Sequence, residues 1–469
     1  MKKKLLLVNP VTPGKAQFQG HKYSTYQPIG LGIVAALTPD HWEVDLIDEN
    51  FESYGYREAD LVGISAYTPS ANRAYEIAMF YSAKGIPTVM GGIHASMLPQ
   101  EALRFVDTVV IGEAESTWAK VISDFESGNM QDVYRGELLS MAGAPRPRRD
   151  LFNSRYNLAS IQTTRGCPMD CDFCSVSVFN GRQYRCRPVE EVLDELEEIP
   201  QKRIFFVDDN LVGNGKENEE RAISLFKGMM ERGIKKSWFS QASLNVARNE
   251  EVLYYAARSG CRMLLIGIEA EKKCPLDNLS KKMNLKILHR YNEMFKLINK
   301  YGIAILGGFI FGTDADRIED LHARAQFINK SRIDVIQPTI LTPYPGTTLY
   351  KKLAESGRLL YTNYPGDWDK YDMSEALFKP LQMSQQELKA AMARCYQFLL
   401  NGGNLLNKFI KTIIFTRSLP AALWAFYTNK IYRSMAMRKI RDWKCIRGEC
   451  AVKAQSVGQE GTSSGKEKK

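Results

Sequence analysis

The run Thr163-Thr164-Arg165-Gly166-Cys167-Pro168-Met169-Asp170-Cys171-Asp172-Phe173-Cys174 packs three thiols into one short loop, with three residues and then two between them. Thiols so close read as soft-metal ligands rather than disulfide partners in a chain for which no secretory signal is expected. Three ligands leave a site one short. A cubane iron-sulfur cluster usually takes four cysteines, so the triad suggests an iron whose remaining position is open to a ligand. Zinc competes, but a closed site wants four ligands, and His21, His41, His94, His289 and His322 all lie far from the loop in sequence. Cys186, Cys261, Cys274 and Cys395 are isolated and read as packing residues, whereas Cys445 and Cys450 form only a weak pair.

Outward from the loop, short β-branched runs alternate with helical stretches. After it come Ile204–Val207, Trp238–Ala242, Met263–Ile268, Ile303–Phe309 and Val335–Leu341, and Ser160–Thr164 leads into it. Six βα units imply a parallel barrel, left incomplete, with chemistry at the carboxyl ends of the strands. The first segment repeats the alternation with strands at Leu5–Val8, Val44–Ile47, Leu61–Ser65, Thr88–Met90 and Thr108–Ile111, and helices at Ile29–Leu37 and Ser70–Ala83. That pattern is doubly wound, and a ligand would bind outside the strand ends, where Gly91-Gly92 and Gly112-Glu113 let backbone approach a large flat molecule. Met1–Val8 imitates a signal peptide but stops at Asn9-Pro10, and reads better as a buried strand. Ala144-Pro145-Arg146-Pro147-Arg148-Arg149-Asp150 breaks the periodicity as a linker.

With an aromatic residue directly before its last cysteine, the triad resembles the signature loop of the radical S-adenosylmethionine (SAM) superfamily. The resemblance implies a 4Fe-4S cluster on Cys167, Cys171 and Cys174, whose open iron chelates the amino and carboxylate groups of SAM, with Phe173 near the adenine. It further implies that Asp208 and Asp209 receive the SAM amino group, that Ser243 and Asn245 bond the ribose, that Glu269 faces SAM, and that Gly307 and Gly308 flank the adenine. The turns Gly91-Gly92-Ile93-His94 and Gly112-Glu113-Ala114-Glu115 look like those of the cobalamin-binding domain in one large branch of the superfamily. Corrinoid domains often carry Asp-x-His-x-x-Gly after the first strand, but here Asn9-Pro10-Val11-Thr12-Pro13-Gly14 offers no histidine, and His21 and His41 are out of register. Cobalamin is expected to sit on Gly91, Gly92, Gly112 and Glu113 without a protein axial ligand.

Resemblance extends through Leu341-Thr342-Pro343-Tyr344-Pro345-Gly346-Thr347 and Trp368-Asp369-Lys370-Tyr371, where Tyr344, Trp368 and Tyr371 read either as pocket lining or as core. The implied organisation is a flavodoxin-like cobalamin-binding α/β domain (1–140), a linker (141–155), a partial (β/α) barrel (156–345), a substrate-end region (346–400), a basic helical extension (401–450) and a disordered tail (451–469). The implied activity is cobalamin-dependent C-methylation of an unactivated carbon, a lipid among the candidates, fed by a flavodoxin- or ferredoxin-type donor. Radical cyclisation or carbon-carbon coupling is the alternative on the same scaffold, and a cluster-bearing redox sensor without turnover is the alternative of another class.

The formal charge of +10 sits wholly beyond residue 400. A neutral catalytic body argues against a nucleic-acid-binding face, and a basic extension suits an anionic surface. Phe409-Ile410, Ile413-Ile414-Phe415 and Leu423-Trp424-Ala425-Phe426-Tyr427, interleaved with Lys408, Lys411, Arg417, Lys430, Arg433, Arg438 and Lys439, suit either a membrane interface or a helix packed on the barrel. No segment reads as a membrane span. The expected location is cytoplasmic, with peripheral contact at the cytoplasmic membrane face.

Overall fold

The computed structural model describes residues 2–11, 26–52 and 55–446. The expected tail disorder (451–469), Cys450 and His21 lie outside them, as do residues 12–14 of the first-strand loop, and of Cys445 only the backbone is described. The first sheet contains β1 (Lys3–Asn9), β2 (Trp42–Asp48), β3 (Leu61–Ser65), β4 (Thr88–Gly91), β5 (Thr108–Ile111) and β6 (Val133–Arg135), in the order β2-β1-β3-β4-β5-β6 and parallel throughout. Five strands stand where the sequence puts them. The sixth, β6, escaped because its three residues, Val-Tyr-Arg, bury only Tyr134 and so write no apolar run. The two faces take alternate residues: Leu5 and Leu7 enter one core with Leu31 and Trp118, while Leu6 and Val8 enter another with Tyr75 and Ile77.

The second sheet joins β7 (Ala159–Ile161), β10 (Arg203–Phe206), β11 (Ser237–Ala242), β12 (Cys261–Glu269), β13 (Ala304–Phe311) and β14 (Val335–Ile340), again all parallel. The ladder β8 (Thr164–Arg165) and β9 (Arg185–Cys186) stands apart and brackets the cysteine loop. Here too the faces alternate. Ile204, Phe206, Trp238, Leu264, Ile266, Ile305 and Ile336 pack against surrounding helices through Leu196, Phe226, Phe295 and Leu321.

The opposite face carries Phe205, Phe239, Met263, Ala304, Leu306 and Val335, and it is covered by Ala421 and Ala425 of the helix Leu419–Ile446. The basic extension is therefore part of the fold. Lys408, on a stretch that suits either an interface or packing on the barrel, is buried on the helix Gly402–Thr416 and donates to the carbonyls of Ile328 (3.3 Å) and Ile333 (2.7 Å). Lys439 turns to Glu375 at 3.3 Å. What remains open is the far side of this helical pair, where Leu406, Ile410, Ile414, Leu419, Leu423 and Tyr427 are exposed.

The segment read as a linker is packed, with Phe152 in the core of the first sheet and Leu151 against it. Trp368 and Tyr371 belong to that sheet's other core, which decides for core over pocket lining, and Tyr344 packs at its edge. Of the isolated cysteines, Cys261 and Cys395 are buried, Cys186 is half-buried and Cys274 is exposed.

Candidate functional site

The site is built at the carboxyl ends of the second sheet, beginning with the stem of the cysteine loop. Thr163 and Thr164 follow β7, and Asp208 follows β10. Its carboxylate accepts from Thr163 N (2.6 Å), Thr163 Oγ1 (2.6 Å) and Thr164 N (2.9 Å). Burial pushes Asp208 up to about 6 even against these donors. Asp209 accepts from Asn180 Nδ2 at 2.9 Å and from the Gly166 amide. Both carboxylates, expected to receive SAM, hold the cysteine loop through these bonds. Gly166 has φ +87°, and a Cβ there would stand 2.2 Å from the Gln183 carbonyl, so the loop closes only over glycine.

Cys167, Cys171 and Cys174 are free and half-buried. Burial raises each thiol, Cys174 to about 11, and Lys281 opposes the rise in all three. Lys281 is the residue that the sequence reading missed: it follows a short helix rather than a strand end, so no strand-end rule selects it. Its ammonium lies 2.8 Å from Glu269 and 5.9 Å from the Phe173 ring centroid. Burial works against its charge, but Glu269 and the facing sulfurs hold its pKa above the ordinary lysine value. Glu269 ends β12 with φ +65°, after a register shift following Gly267. A non-glycine residue in that region is strained, and here the strain turns the carboxylate to Lys281.

The remaining expected contacts divide. Asn245 is buried, donating to Gly213 O at 3.1 Å, and Ser243 bonds Asn245 and Asn210, so both brace the loop after β10. On β13, a Cβ at Gly307 would meet Phe309, Ile268 and Ile333, on the outer core side. At Gly308 it would meet nothing nearer than the Ile266 carbonyl at 3.6 Å, on the site side. Only Gly308 can offer open backbone to a ligand.

At the first sheet, the turns after β4 and β5 form one ledge. Ser96 Oγ donates to Gly92 O (2.8 Å) and accepts from Gly112 N (3.0 Å). Gly92 has φ +89°, and a Cβ there would press on Ser65 and Ala66 at about 3 Å. Glu113, expected on the corrin, is instead buried between Arg165 and Arg185. His94 is buried and turned to Tyr75 (3.0 Å) and Thr68 (3.3 Å), while His41 pairs with Glu126. Tyr67, after β3, is 74% exposed beside this ledge.

Both donor sets fit their groups. Among the described residues no three His, Cys, Asp or Glu side chains close on one ion, as zinc would need. A cubane spreads its thiolates over separate irons, which three thiols spaced along one loop can supply. The glycine ledge offers backbone without side chains to a flat macrocycle, at the strand ends where such sheets bind ligands.

Fold and site together define a corrinoid-type domain set against a sheet that carries a cluster loop. The family described as "B12 binding domain" matches residues 21–122, and the "Radical SAM superfamily" matches residues 161–328. The chain is similar to bacteriochlorophyllide d C-12(1)-methyltransferase of Chlorobaculum tepidum, with 30% identity over 87% of this chain and 89% of that protein. It is similar to the hopanoid C-2 methylase of Rhodopseudomonas palustris, with 28% identity over 79% of this chain and 71% of that protein. The fold is shared with the radical SAM methyltransferase TsrM from Kitasatospora setae, with TM-score 0.70 and 17% identity over 94% of this chain and 99% of that one. The chain belongs to the cobalamin-dependent radical SAM methyltransferase family, an enzyme family working with a 4Fe-4S cluster, SAM and cobalamin.

Proposed function

We propose that the enzyme methylates an unactivated carbon of a large apolar substrate. The observation that carries this reading is the three free thiols beside the partly buried Glu269–Lys281 pair, together with the glycine ledge of the first sheet. Cys167, Cys171 and Cys174 would hold the cluster. Lys281 and Glu269 would meet the carboxylate and amino ends of SAM, a cation and an anion for two opposite charges. Phe173 and the Gly308 backbone would border the adenine, and Gly91, Gly92 and Gly112 would lie under the corrin. When bound, the cluster delivers the electron that splits SAM, and cobalamin carries the methyl group; the protein orients both and excludes water. A reductant is required, of flavodoxin or ferredoxin type in this reading. The relatives support a large ring-system substrate, one being named for a hopanoid and one for a bacteriochlorophyllide.

The anaerobically reconstituted protein, given SAM labelled in its methyl group and lipid or tetrapyrrole extracts, should yield a product carrying the label. A product that loses hydrogen or joins two carbons without label would favour cyclisation or coupling.

The helical pair at the end of the chain supports peripheral contact with an anionic bilayer. Leu406, Ile410 and Ile414 recur at helical spacing and are 48–62% exposed; Leu419, Leu423 and Tyr427 repeat the spacing on the next helix. Arg417 and Lys430 are exposed among them, and Gly402–Thr416 carries no acid. Among the described residues no helix is long and apolar enough to cross a membrane. Lying in the interface suits such a face.

A further inference from the structure

Arg165 and Arg185 are register partners in the ladder β8–β9, the stem from which the cysteine loop hangs. Like charges directly opposite on a ladder repel. The repulsion is answered from the other sheet. Glu113, on the turn after β5, lies 3.1 Å from Arg165 Nη1 and 3.0 Å from Arg185 Nη1, and accepts a second bond from Arg185 Nη2. Glu115 takes Arg165 Nη2 at 2.5 Å. The two guanidinium groups are fixed further: Arg165 Nε donates to Gln162 Oε1 at 2.7 Å, and Arg185 donates to Leu139 O at 2.6 Å and Asn180 O at 3.1 Å. At Gly136, after β6, a Cβ would stand 2.0 Å from the Glu113 main-chain carbonyl, so the backbone of Gly136 packs directly on the turn that carries the acid.

All four side chains are 5–13% exposed. Buried ion pairs are a poor way merely to glue two domains, because desolvation offsets most of their attraction; what they give is one geometry rather than many. This network ties both ends of the cysteine loop to the turn beside Gly112, where the ledge of the first sheet lies.

We propose that Glu113 is a positioning residue that couples the corrinoid domain to the cluster loop. It neutralises the two arginines of the stem, holds the stem closed, and so sets the separation of the two cofactor sites. This rests on the reading that the loop carries the cluster. A consequence is that the cluster loop closes fully only when the first domain is in place, because the charge that closes it comes from that domain.

The test uses the full-length holoenzyme and Glu113→Gln, which keeps the shape and removes the charge. Amide hydrogen exchange in Thr164–Arg165 and Arg185–Cys186 should rise on the order of tenfold, as a local opening is made easier. The magnetic coupling between the reduced cluster and cob(II)alamin in electron paramagnetic resonance should shift or broaden, with iron and corrinoid content unchanged. Glu115→Gln, which leaves Glu113 in place, should show both effects more weakly, and it carries the test if the first variant does not fold. Glu113→Asp should recover part of the protection. Wild-type exchange in the stem together with an unaltered coupling in Glu113→Gln overturns the proposal. A wild-type protein that takes up no iron overturns the cluster reading instead, and stem exchange then still decides for or against the clamp.

Discussion

Replacing Lys408 by Met tests how the basic extension is held. The ammonium of Lys408 is buried at a helix-to-sheet contact, donating to Ile328 and Ile333 carbonyls, and Asp334 lies close. Burial lowers its pKa from 10.5 to about 8, with Asp334 opposing the fall and Lys411 adding to it. A fall of that size amounts to roughly 3 kcal/mol against the charged form in the folded state. The sign follows from proton counts. Between about pH 8 and 10.5 the unfolded chain keeps the proton that the folded one has released, so stability rises with pH across that window and the penalty is present in full below it. Asp334 has the opposite sense: burial raises it, so its contribution is present at low pH and lost as pH climbs through the folded value. Met keeps the stem's packing and removes the titration. Urea unfolding of both proteins followed by circular dichroism at pH 7.5, 8.5 and 9.5 should show the wild type gaining on the variant by about 1.4 kcal/mol per pH unit above pH 8. A difference that stays flat from pH 7.5 to 9.5 would refute the reasoning.

Three further outcomes are expected. Ile410→Gln with Ile414→Gln should lower sedimentation with anionic vesicles several-fold at low salt while the melting temperature stays near wild type; full retention of vesicle binding would leave the exposed face without this role. Arg324→Met should cost about 3–5 kcal/mol in a thermal melt, because it strands the buried carboxylates of Asp316 (2.7 Å) and Glu271 (2.9 Å) without their cation. Cys174→Ala should remove the iron-sulfur absorbance and formation of 5'-deoxyadenosine, and a variant that still cleaves SAM would dismiss the ligand set.

The two sheets were legible because parallel strands buried on both faces write short apolar runs, and eleven of the twelve sheet strands overlap an expected run. Strand β6 did not, at three residues. The cysteine loop was legible as covalent spacing alone. Partners were not. Asp208 and Asp209 stand at a strand end, where position suggests a ligand contact, but only the fold shows that Thr163, Thr164, Gly166 and Asn180 already take their oxygens. Lys281 sits twelve residues past Glu269, and no periodicity foretells that the intervening helix returns it to that carboxylate. Lys408 shows the same limit from the other side: a lysine among aromatics reads equally as interfacial or as packed until the carbonyls it reaches are known.

The interlocking of the halves explains why the extension is both basic and buried. Trp368, contributed after the last strand, donates to Glu101 at 2.7 Å within the first sheet's core, and Glu101 also accepts from Tyr75 at 3.0 Å. Farther along, Ala421 and Ala425 cover the inner face of the second sheet, with small side chains that let the helix approach Phe239 and Met263. Cutting the chain at residue 404 would therefore uncover the inside of the barrel as well as remove positive charge, and loss of vesicle binding in such a truncation would not separate the two. Substitutions confined to Leu406, Ile410 and Ile414 do separate them, because these side chains point away from every core cluster. One helix face closes the second sheet while the opposite one carries the exposed apolar residues, so on the proposed reading a membrane contact rests on the extension while residues 1–400 carry no net charge.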